Sequence, residues 1–81
     1  MENLCYEALV ADPRKSNSRP ELRLLVVPGP TGFIASIKSE SAVLHQCVYL
    51  DPEAAQSATA SIARTLFPDA AITFLPLPKA N

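Results

Sequence analysis

His45 and Cys47 are the residues whose types and spacing come closest to a reactive pair. One residue separates them, so in a strand both side chains would project from the same face. An imidazole beside a thiol can activate a cysteine nucleophile, but such pairs usually come from separate elements and need a third group to orient the base. The sequence offers no such third group, and we predict a non-enzymatic protein without catalytic residues.

Metal and cofactor sites are also not expected. The chain has one His and two Cys, without the CxxC spacing of a zinc site. The sequence of residues 28–32, Pro-Gly-Pro-Thr-Gly, lacks the spacing of a phosphate-binding loop. The N-terminal residues show no secretory signal, so we expect reduced thiols and a cytoplasmic location, with the nucleus as alternative.

Composition indicates one folded domain spanning residues 1–81. Apolar residues make up 48% and charged residues 19% of the chain, which is typical of a globular protein and not of a disordered one. The net charge of −1 predicts no general attraction to nucleic acids or acidic membranes. No apolar run approaches the ~20 residues that a membrane span needs.

The clearest element is a helix over residues 52–67. Asp51 is a suitable N-cap, Pro52 fits the first helical position and Glu53 suits the positive end of the helix dipole. Four residues at i, i+4 spacing are predicted to face the sheet: Ala54, Ala58, Ile62 and Leu66.

Three β-prone runs precede this helix, at residues 22–27, 33–38 and 42–50. Their connections are too short for crossovers, so we expect an antiparallel meander. In the turn at 28–32, Gly29 is predicted to supply the positive φ of a type II turn.

The two ends of the chain are ambiguous. Residues 3–11 fit a helix by propensity, yet Tyr6, Ala8 and Val10 would share one face of a strand. We predict an α+β fold of order α-β-β-β-α, a three-stranded antiparallel sheet with helices on one face and a core at 2–67. The Pro-rich tail at 68–81 would add at most a short edge strand at 72–75. The alternative is ββββαβ.

Both faces of this sheet are predicted to be apolar, although a single helical layer covers only one. Leu25 and Val27 alternate with Leu24 and Val26, and the third strand is apolar on both sides. We therefore expect a homo- or heterodimer interface on that strand and beside it. Its predicted partner-binding residues are Val43, His45, Cys47, Val48, Tyr49, Leu25 and Val27.

Several local features resemble the double-stranded RNA-binding domain family. Pro20 opens a strand, Gly29-Pro30 follows it, and Phe33 opens the next strand. The last helix matches the family pattern at Glu53, Ala54, Ala58, Ile62 and Leu66. This resemblance covers residues 2–67 and implies the α-β-β-β-α order.

The same resemblance implies lost RNA binding. Where the family has a lysine cluster opening the last helix, residues 50–56 read Leu-Asp-Pro-Glu-Ala-Ala-Gln, and Thr31 and Gly32 stand in place of the loop histidine. Members of this kind act as adaptors through protein docking or dimerisation. Two alternatives stay open: a small phage-type inhibitor or accessory protein, and weak RNA binding. The RNA contacts would be Arg14, Lys15, Arg19 and Arg23.

Overall fold

Five antiparallel strands and one helix make up the fold. The computed structural model describes residues 4–12, 20–40 and 42–78. The elements in chain order are β1 (Leu4–Ala11), β2 (Pro20–Pro28), β3 (Phe33–Lys38), β4 (Val43–Tyr49), α1 (Pro52–Leu66) and β5 (Leu75–Pro78). The strands form a single sheet of order β4-β3-β2-β1-β5, and α1 lies over β2, β3 and β4.

The predicted α-β-β-β-α order is wrong, because residues 4–11 form a strand. Tyr6, Ala8 and Val10 of β1 pair with Val26, Leu24 and Leu22 of β2. This position brings Ala8 and Val10 into the core, where they are buried almost completely. This long-range gain outweighs the modest helix propensity of Leu, Glu and Ala. The sheet consequently has five strands, and the order ββββαβ is the one named above as the alternative.

The tail joins the sheet as β5, beside β1. Its register places Leu75 opposite Glu7 and Pro76 opposite Tyr6. A short edge strand was predicted at 72–75, whereas β5 begins at Leu75 and includes Pro76 and Pro78. Proline is tolerated on edge strands, where its missing N–H can face outward.

One face of the sheet is covered by α1 and by the segment that follows it. The buried core is lined by Val10, Leu22, Leu24, Ile37 and Ala63. The segment 67–74 packs against this core with Phe67, Ala70, Ile72 and Phe74. We call α1 and this segment together the cover, and the face of the sheet beneath them the covered face.

The predicted helical stripe is off by one residue. Ala55, Thr59, Ala60 and Ala63 are the buried residues of α1, whereas Leu66 remains 51% exposed. Thr59 can be buried because its hydroxyl donates to the carbonyls of Ala55 and Gln56 at 2.9 and 3.1 Å, which leaves no unpaired polar group. The alanines let the helix approach the sheet closely.

The turn between β2 and β3 also differs from the prediction. No glycine of the described residues has a positive φ, and the Gly29 N–H donates to the Gly32 carbonyl at 2.7 Å. The glycine requirement lies instead at Gly32, where an added Cβ would come within 2.4 Å of the Tyr49 carbonyl oxygen. Gly32 thus permits the close approach of this turn to the end of β4.

Candidate protein-interaction site

The two edges of the sheet differ in their capacity to accept another strand. β5 forms one edge and contains Pro76 and Pro78, which have no N–H to donate to a neighbouring strand. β4 forms the other edge, and each of its seven residues retains a backbone N–H. Among the described elements, only β3 pairs with β4. The outer side of β4 is therefore open.

β4 also lacks the charged side chains that commonly protect an edge strand. Its sequence, Val-Leu-His-Gln-Cys-Val-Tyr, contains no Lys, Arg, Asp or Glu. Val43, Leu44 and Val48 are each more than half exposed. An uncharged edge strand with exposed aliphatic side chains is a ready template for pairing with another chain.

A β-bulge limits the regular part of this edge. His45 pairs with Ile37, but Lys38 pairs with Val43, so one extra residue lies in β4 at Leu44. A bulge bends its strand and disrupts the ladder locally. Regular pairing with a further strand is thus confined to residues 45–49.

The face of the sheet opposite the cover is the open face, and no described element lies on it. At the end of the sheet nearest the β2–β3 turn, it presents an apolar row. Val48 pairs with Ile34, which pairs with Val27, and the next strand continues the row with Cys5. Ile34 and Val27 are partly buried by their neighbours. Val48 is 51% exposed at the outer end of the row, so the row opens onto the β4 edge.

The opposite end of the open face is charged. Arg23 is the cross-strand neighbour of Lys38 and forms an ion pair with Glu7 of β1. Arg23 is thus partly neutralised. Of the four RNA contacts predicted from the sequence, Arg23 alone can be placed. The other three lie outside the described residues, at Arg14, Lys15 and Arg19.

Three side chains of β4 lie on the covered side of the sheet. His45 pairs with Ile37, Cys47 with Ala35 and Tyr49 with Phe33. The His45 Nε2 is shielded from solvent and finds no hydrogen-bond partner within the described chain. Buried polar atoms in folded proteins are normally satisfied, so this nitrogen is an exception among the described residues.

Cys47 and Tyr49 are neighbours on this side of the strand. The thiol is exposed, and the Sγ–H points toward the Val48 carbonyl at 3.9 Å. Burial, and next the neighbouring Cys47, raise the pKa of the Tyr49 hydroxyl above 10.0. The shift moves the ionisation of Tyr49 further from the physiological range, where the hydroxyl is neutral in any case.

The predicted partner-binding residues fall into two groups. Leu25, Val27, Val43 and Val48 lie on the open face, whereas His45, Cys47 and Tyr49 lie on the covered side of β4. The bulge moves Val43 to the open face, because it pairs with Lys38 instead of continuing the alternation. The two groups meet only along the β4 edge.

Sequence reasoning missed the contributions of β1, β3 and β5 to the open face. Leu9 and Leu75 are 54% and 61% exposed, and Ile34 continues the apolar row. The signal for Leu9 was the alternation of residues 4–11. In a strand, this alternation places Leu9 on the face opposite to that of Val10.

Neither a metal site nor a membrane span is found in the described parts of the chain. No three residues of the types His, Cys, Asp and Glu come together there as metal ligands. The helix found there is too short and too polar to cross a bilayer.

The two cysteines are too far apart to pair within one chain. Cys5 lies on β1 and Cys47 on β4, with β2 and β3 between them. Three strand spacings amount to roughly 14 Å, which is well beyond the Cα separation of a disulfide. Both thiols are free.

No protein-family model, no curated protein and no solved structure matches the chain. The resemblance to double-stranded RNA-binding domains thus stays a prediction that no comparison tests, and the element order that it implied is wrong. Any functional inference has to come from the β4 edge and the open face themselves.

Proposed function

We propose that the chain is a non-catalytic protein-interaction module that binds an extended strand of a partner along β4. The observation that supports this most strongly is the state of the β4 edge: it is unpaired on its outer side among the described elements, uncharged and lined by half-exposed aliphatic residues. Strand addition of this kind obtains affinity from main-chain hydrogen bonds and specificity from alternate side chains.

The side chains beside this edge define what partner would fit. An added strand would lie alongside Val48, and a residue opposite Val48 would extend the apolar row of Ile34 and Val27. An uncharged side chain with an aliphatic or aromatic part is therefore favoured at that position. A charged residue there would lose hydration without finding an opposite charge on β4.

The charge distribution supports a protein partner over RNA. Arg23 is engaged by Glu7, and Lys38 is the one other basic side chain that the described residues place on the open face. Duplex RNA binding relies on several phosphate contacts. The two cations that the described residues place on this face, one of them paired, would contribute little to it.

A reducing compartment suits this module. Cys47 is exposed on the binding edge, and an oxidising environment would put this thiol at risk of modification. We therefore assign the module to the cytoplasm, with the nucleus as the alternative.

The proposal is tested by affinity capture with two matched baits. Val48→Lys places a charge at the β4 edge, whereas Leu66→Lys places the same charge on α1, and both positions are 51% exposed in the native chain. Wild type, Val48→Lys and Leu66→Lys are used as baits in lysate from cells that express the protein, with an untagged copy of the chain added.

The expected result is that proteins held by wild type, an untagged copy among them, are also held by Leu66→Lys and are lost from Val48→Lys. Circular dichroism must show that both variants are folded. If all three baits capture the same proteins, or if nothing is captured, β4 is not a docking strand and the proposal is wrong.

A further inference from the structure

We infer that the strand that docks on β4 is β4 of a second copy, paired antiparallel about a two-fold axis at Cys47. This inference rests on the proposed function, because it names the partner of the same edge. Two copies joined in this way would form one continuous sheet of ten strands, twice the five of one chain.

The regular part of β4 is symmetric about Cys47. The bulge at Leu44 excludes the start of the strand from regular pairing, which leaves residues 45–49 with Cys47 at their centre. Antiparallel pairing about that centre places Cys47 opposite Cys47 of the second copy. Every regular residue of the edge then has a partner.

The same register pairs the two ends of the regular segment with each other. It places His45 of one copy opposite Tyr49 of the other, and directly opposite residues of antiparallel strands have Cβ atoms about 4.5–5.5 Å apart. Both side chains lie on the covered side of the sheet. Cross-strand aromatic pairs of this kind stabilise an antiparallel join.

Charge and edge chemistry favour a second copy over a charged partner. β4 has no charged residue, so self-pairing brings no like charges together. The β5 edge cannot extend the assembly in the same way, because Pro76 and Pro78 lack an N–H. The association would consequently close as a two-fold dimer and not grow into a filament.

The dimer is expected to be weak. Five residues on each side give a small interface, and small interfaces are typical of transient association. Measurements should therefore reach protein concentrations of about 1 mM, the dissociation constant of a weak complex. Sedimentation equilibrium would then show a rise from the monomer mass of 8.7 kDa toward twice that value.

Thiol cross-linking reports the register. Directly opposed Cα atoms are about 4.5–5.5 Å apart, which lies within the range of roughly 4.4–6.8 Å that a disulfide bridges. Copper(II)–phenanthroline in air would remove two electrons and two protons from the two Cys47 thiols and join the copies through an S–S bond. Non-reducing gel electrophoresis measures the product.

The cross-link has three matched controls. Cys5→Ser keeps Cys47 and should retain the cross-link, whereas Cys47→Ser keeps Cys5 on an inner strand and should lose it. Val48→Lys leaves both thiols in place but impairs edge pairing, so its cross-linking should fall at least about tenfold if the copies associate before oxidation. Equal cross-linking of wild type and Val48→Lys would reflect chance collision and would overturn the inference.

Two results separate this inference from the proposed function. A monomer at all concentrations without the Cys47 cross-link overturns the second copy as partner, while β4-dependent capture of other proteins would leave the docking function in place. A dimer that persists in Val48→Lys overturns both.

Discussion

The two faces of the sheet are built from similar residues but have different neighbours. Leu24 is fully buried beneath the cover, while Leu25, the next residue, lies on the open face and is only partly buried by its neighbours on the sheet. The two edges differ in the same manner, since β5 has two prolines and β4 has none. Apolar composition alone therefore does not identify the core. The elements that cover each face decide which apolar side chains are buried.

The largest expected effect separates the two faces by stability. Leu24→Ala removes a fully buried side chain and should lower the free energy of unfolding by about 2–5 kcal/mol. Leu25→Ala should cost clearly less, because this side chain is already in partial contact with solvent. Urea titrations followed by circular dichroism give both values. Equal losses would mean that the open face is as well packed as the covered one.

A smaller effect is expected from a charge on the open edge. Gln46→Lys adds the type of residue that protects natural edge strands, and in the dimer it would bring two lysines close to each other. Self-association should weaken at least about tenfold, which corresponds to roughly 1.4 kcal/mol. Ser61→Lys, on the exposed side of α1, is the control in sedimentation equilibrium. An unchanged association constant for Gln46→Lys would mean that the β4 edge is no more able than the β5 edge to pair with another strand.

The cover depends on the start of α1. The Asp51 carboxylate accepts a hydrogen bond from the Ala54 N–H at 2.8 Å, which satisfies a free donor of the first turn. Asp51→Ala should therefore cost about 1 kcal/mol of unfolding free energy. Asp69→Ala, in the exposed turn after the helix, should change it much less in the same thermal melts. A loss at Asp69 equal to that at Asp51 would refute the capping role.

The smallest effect concerns Tyr49 at the border of the covered side. Burial, and then Cys47, raise its pKa above 10.0. Because the folded state holds the proton more tightly than the unfolded state, this contribution to stability is complete below pH 10 and is lost as pH rises through the raised value. The difference in absorbance at 295 nm between wild type and Tyr49→Phe isolates this titration. A midpoint at or below 10.0 would contradict the environment described for Tyr49.

The local signals in the sequence predicted part of this architecture. The Asp51 cap and the apolar runs indicated α1 and the meander of β2, β3 and β4, because caps and short connections act over a few residues. Residues 3–11 were predicted as a helix for the same reason: their local propensity favours a helix. Pairing with β2, which is distant in sequence, decides the outcome.

The candidate site was less accessible to sequence reasoning. The apolar character of β4 was visible in the sequence. Its position at an edge became clear only from the structure, in which β1 and β5 lie on the other side of β2. The bulge at Leu44 breaks the strict alternation and moves Val43 to the open face. The core stripe of α1 shifted by one residue because Thr59 can be buried when its hydroxyl bonds to the backbone.

The most direct test of the central claim is amide hydrogen exchange along β4 at low and high protein concentration. If β4 docks a second strand, N–H groups on the outer side of residues 45–49 should exchange more slowly as concentration rises, while those of β5 should not change. If the copies associate without added protection in β4, or if protection appears at β5 instead, the account of the open edge is wrong.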